Sequence, residues 1–257
     1  MLEKTKYLRF LTWCGPLFLA VFIVFWGLMG NNIPPLSAGL SASEVGDIFR
    51  ADANQVRLAM GMAMTFAVFY LLWGLAAAKL VELGIEKDNN ILSTLAVWGA
   101  GLTVVPLMCS CVFWLAGAYR PDVLDDTILQ LLYDMGWLLI DMCYMVTTVQ
   151  MFALGIAFLQ DRRAVPLFPK WMAWYGMWVG FSFVAELLMP FFKTGIFERS
   201  GTVNFWIEFF LWFFWIVGLT TYMLAAIRRL EAEALGADAE VRDGAAHGIG
   251  KVAGATA

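Results

Sequence analysis

The chain has 257 residues, of which 61% are hydrophobic and only 15% charged, with a net charge of −4. A soluble domain is nearer half apolar and a quarter charged, so the excess marks a protein whose solvent is lipid. A slightly acidic chain without a basic stripe gives no footprint for nucleic acid.

Six apolar runs, at 11–30, 58–80, 91–117, 136–159, 171–192 and 205–227, are each long enough to cross a bilayer as a helix, which takes about 20 residues. Backbone groups in lipid must bond within their own segment, so the runs predict an all-α polytopic bundle of six transmembrane helices over 1–230. The first run follows Lys4, Lys6 and Arg9, like a signal peptide. It is longer than the 7–15 apolar residues of such a peptide and no Ala-x-Ala site follows, so an uncleaved first helix is expected. An N-in, C-in orientation leaves twelve lysines and arginines on the inner side. Five remain outside, namely Arg50, Arg57, Arg120, Lys193 and Arg199. The positive-inside rule therefore favours both ends in the cytoplasm of an inner membrane.

Two stretches stand apart from the spans. The loop at 31–57 opens with Asn31, Asn32, Ile33, Pro34 and Pro35, which cannot continue a helix. Ser41 and Glu44 then form a capping-box pattern, and Ala42, Val45, Phe49 and Val56 recur at helical spacing. A short amphipathic helix lying over the outer end of the bundle is expected, either as a plain cover or as a lid. The Ala- and Gly-rich tail at 231–257 has the composition of a disordered cytoplasmic segment. It carries His247, the sole histidine.

The informative residues are carboxylates inside apolar runs, because a charge at the centre of a span costs on the order of 3 kcal/mol. Asp141, Glu186 and Glu208 lie in the fourth, fifth and sixth runs, and Asp134 just precedes the fourth. With 1.5 Å rise per residue and the expected orientation, the three span acids fall at similar depth in the outer half of the bilayer. Asp134 and Asp141 are seven residues apart and share a helix face, which Tyr144 and Thr148 continue. Asn204 with Glu208, and Ser182 with Glu186, are four apart and face together. Pro190 gives no N–H to the Glu186 carbonyl, and Pro106 frees that of Leu102, near Thr103, so bends are expected at both. Asp141, Glu186, Glu208, Asp134, Asn204 and Tyr144 thus form the candidate ligand-binding set.

Three functions fit these residues. The first is binding or transport of a small lipophilic or cationic molecule, since carboxylates among aromatic faces suit a cation. The second is an accessory subunit whose acids pair with a partner membrane chain. The third is a cofactor-free acid–base enzyme acting on a lipid-like substrate. Bare structural pairing with Arg57, Arg120 or Lys193 competes with all three. No histidine lies in a span, so haem, copper and di-iron sites of the usual kind lack ligands. There is no phosphate-binding Gly-rich loop and no Cys-x-x-Cys, and the methionines read as apolar filler. No cofactor is expected.

Overall fold

The computed structural model describes the backbone of residues 2–86 and 89–253 and the side chains of 5–86 and 89–236. The described residues form no sheet; one isolated bridge joins Asn32 to Pro35. The chain is an all-α bundle with six helices long and apolar enough to span a membrane: Thr5–Met29, Ala53–Gly84, Ile91–Tyr119, Asp126–Gln160, Lys170–Phe191 and Thr202–Gly236.

Only the second and third spans are unbroken α-helices. The first is α1 (Leu2–Val21) followed by a π-helical stretch at Phe22–Met29. After a short cover helix, α2 (Ala42–Ala51), come α3 (Ala53–Gly84) and α4 (Ile91–Tyr119), with Pro106 inside α4. The fourth span is α5 (Asp126–Met142) and α6 (Met145–Gln160), broken at Cys143 and Tyr144. The fifth is α7 (Lys170–Ser182), which tightens to a 3-10 helix over Phe183–Phe191. The sixth starts with a π-helical turn at Thr202–Ile207 and continues as α8 (Glu208–Ala253).

Small residues set the helix spacing. The buried face of α3 carries Ala59, Ala63, Ala67, Gly74 and Ala77, which let neighbouring backbones approach closely. Aromatic side chains fill the wider gaps. Trp26, Trp73, Trp114, Trp137 and Trp215 are all fully buried.

The fourth span begins ten residues before the expected 136. Its first turns are amphipathic and rise to meet α2, where Arg50 ion-pairs with Asp126. At the head of the tail α8 continues, with Glu231 paired to Arg9 and Glu233 to Arg163 and Arg229. The expectation for the side chains of 237–257 lies outside the described residues.

The cover helix forms as its sequence requires. Ser41 Oγ accepts the Glu44 N–H, and the Glu44 carboxylate accepts the Ser41 N–H at 2.8 Å. Val45 and Phe49 point down into the bundle, with the Phe49 ring against Tyr133. Ser41→Ala should weaken the helix by about 1 kcal/mol, seen as faster amide hydrogen exchange along Ala42–Ala51. Its two bonds to Ser41 hold the Glu44 carboxyl below its ordinary value. A lowered carboxyl contributes stability above its unfolded value and loses it as pH falls through the folded one. Protection of these amides, taken as exchange relative to the intrinsic rate at each pH, should therefore fall in acid in the native protein, and less so in Ser41→Ala.

Candidate functional site

A cavity of about 570 Å³, counting its mouth, lies where the irregular segments meet. All but one of the spans that line it change helix type at that level. Phe22 opens the π stretch of the first span, while α4 runs through unbroken with Pro106 inside it. Asp141, Cys143 and Tyr144 sit at the α5–α6 break. Phe183 and Glu186 lie in the 3-10 segment, and Glu208 sits where the π turn gives way to α8. Non-helical backbone at membrane depth is tolerated where it is buried in protein or lines a cavity, and π segments recur at functional sites.

Asp141, Glu186 and Glu208 are 5%, 9% and 2% exposed, and all three line the cavity. Among the described residues no ion pair involves any of them. Asn204 Nδ2 donates to Asp141 Oδ2 at 3.3 Å. The Glu208 carboxyl lies beside that of Glu186, and neither of its oxygens has a donor in ordinary hydrogen-bond geometry. Tyr144 is also on the wall, with the rings of Phe22, Phe183, Phe209 and Trp212. Among the described residues no three His, Cys, Asp or Glu are drawn close enough to hold a metal ion. The acids surround a space instead of chelating a point.

Two of the expected set are not on the wall. Asn204 stands behind Asp141, to which it donates, and Asp134 ion-pairs with Arg199. The Arg199 guanidinium also donates to the carbonyls of Leu36 and Ser37 and sits 4.7 Å above the Tyr133 ring. The adjacent Glu198 accepts from Ser37 Oγ at 3.2 Å and Ala38 N at 2.9 Å. These two loop residues clasp the segment before α2 onto the bundle. The competing pairing with Arg57, Arg120 or Lys193 does not occur: Arg57 instead donates to the Ala118 and Tyr119 carbonyls.

Two further expectations fail because a helix changes type. The face shared by Asp141 and Thr148 does not survive the break at Cys143, so Thr147 turns to the cavity while Thr148 donates to the Gly180 carbonyl. Ser182 donates to the Val179 carbonyl instead of joining Glu186, since the helix tightens from Phe183. On α4, Thr103 and Pro106 do reach the wall, with the Thr103 hydroxyl 2.9 Å from that of Thr147. Aromatic faces around the acids were expected, but sequence reasoning did not say which rings, although Trp212 stands four residues after Glu208 and so shares its face.

Fold and site together define a multi-pass membrane protein with a polar cavity at the irregular midsection of its helices. No protein-family model, curated protein or solved structure matches the chain.

Proposed function

We propose that the protein binds, and in a membrane would move or present, a small molecule bearing a positive charge, with Asp141, Glu186 and Glu208 as its counter-charges. The observation that carries this reading is the Glu208 carboxyl: buried, facing a cavity, and set against a second buried carboxyl, that of Glu186, with no basic side chain bonded to either among the described residues. Charge buried away from water must be balanced by a proton or a counter-ion. Among the described residues the chain places no cation beside these acids, so the balance falls to a ligand or a proton. The aromatic rings on the same wall attract a cation through their faces. Asn204 orients Asp141, and Tyr144 supplies a hydroxyl to the wall.

The lysine and arginine asymmetry supports an inner-membrane setting with both ends inside, which would put the cover helix and the nearer side of the cavity outward. Native mass spectrometry of the purified protein in mild detergent tests the reading. A bound species of positive charge should accompany the native chain and be lost from Glu208→Gln and Asp141→Asn. Retention in both variants, or a bare native chain, would overturn it. A second membrane chain in its place would favour the accessory-subunit reading.

A further inference from the structure

The cavity is shut along the bundle axis in both directions. One helical turn toward the cover, Trp26, Trp114, Trp137 and Phe205 form an aromatic layer, each no more than 1% exposed. Their rings stand 5.6–6.0 Å apart between centroids. Above it the Arg199 and Glu198 clasp holds the cover segment down. On the other side, Phe18, Tyr70 and Trp212 make a second layer with centroids 5.3–6.0 Å apart. The rings of both layers are buried and lie in contact with one another.

Four lining residues are half-buried. Phe209, on α8, is covered by the rings of Phe22, Trp26 and Phe205, whereas Thr103, Ile140 and Cys143 lie to the side, on α4 and at the α5–α6 break. Thr103 and Cys143 are near the middle of their spans. Exposure at mid-span is exposure to hydrocarbon. Next to them, Leu102, Val105 and Met145 turn outward, as lipid-facing side chains do.

We propose that the occupant is an amphipathic cation drawn from the bilayer, whose charged head enters sideways between α4 and the α5–α6 break while its alkyl chain remains in lipid. This rests on the cation-binding reading above and adds the route and the ligand class. The head meets Glu208, Glu186 and Asp141 with aromatic faces around it, the surroundings that hold a quaternary ammonium group. The alkyl chain needs no enclosed tunnel. Water-borne cations of the same charge lack the route.

Cys143 reports on the mouth, and Cys109, exposed on α4 and outside the cavity wall, serves as an internal reference. The full-length protein in phosphatidylcholine nanodiscs would be alkylated with N-ethylmaleimide and both cysteines followed by peptide mass spectrometry. Dodecyltrimethylammonium at roughly ten times its dissociation constant should slow Cys143 roughly tenfold by mass action and leave Cys109 unchanged. Tetramethylammonium at the same concentration should not protect, and Glu208→Gln should abolish the protection by the long-chain cation. Equal protection by tetramethylammonium overturns lateral entry while leaving the cation site standing. If the thiols do not react in the bilayer, equilibrium binding of the two radiolabelled cations to the same nanodiscs makes the same comparison, with equal affinity as the overturning result. No protection by either cation, or protection that survives Glu208→Gln, overturns the binding reading itself.

Discussion

Glu208→Met should yield a protein that is more stable without ligand and unable to hold a cation. The side chain is 2% exposed and neither carboxyl oxygen has a donor. Two carboxyls set side by side in the interior, Glu208 against Glu186, oppose folding, and replacing buried ionic groups with apolar ones of similar volume is often neutral or stabilising by about 1–4 kcal/mol. Methionine is flexible enough to occupy the space beside Phe209 and Trp212. The melting temperature in detergent should therefore rise by several degrees, at about 2–4 °C per kcal/mol for a chain of this size. Binding of dodecyltrimethylammonium should fall below detection. A structural acid would behave in the opposite way, because removing it would leave a bonded neighbour stranded and lower the melting temperature. The sign of the shift thus separates a site from a strut. A stability gain bound to a loss of binding is the usual trade at functional positions.

The parts of this arrangement that could be read from sequence are those where lipid makes a strong contrast. Six apolar runs stand out because charge and backbone polarity are excluded from hydrocarbon. Asp141, Glu186 and Glu208 stand out for the same reason, and their expected common depth agrees with their sharing one cavity. The capping box at Ser41 was legible because its two bonds are local. What failed was extrapolation along a helix. Thr148 and Ser182 were placed by a period of 3.6 residues, yet the fourth span breaks at Cys143 and the fifth tightens at Phe183. Asp134 meets Arg199, 65 residues away, through a loop fold that no periodicity encodes. The aromatic wall was hidden by abundance. With 21 Phe and 12 Trp in the chain, Phe22 and Trp212 look no different from rings that face lipid.

Gly99→Ala should be among the most damaging single-methyl changes in the bundle. A Cβ at this position would stand 2.7 Å from Gln150 Cβ, 2.8 Å from its backbone N and 2.9 Å from its Cα. Backbone cannot turn aside as a side-chain tip can, so α6 must move away from α4. Overpacking of this kind typically costs about 1–3 kcal/mol, and contact with backbone puts Gly99 at the upper end. Gly61→Ala is the control, since nothing lies within 4 Å of a Cβ there, and it should leave the melting temperature unchanged or slightly raised. The damage should also reach the cavity. Gln150 is one turn beyond Thr147, and the Thr103 hydroxyl that meets Thr147 donates to the Gly99 carbonyl at 2.8 Å. Displacing α6 parts those hydroxyls and widens the wall beside Cys143. Gly99→Ala should therefore speed maleimide alkylation of Cys143 relative to Cys109 as well as lower stability. A stability loss without that acceleration would mean that the α4–α6 contact holds the bundle together but does not shape the mouth.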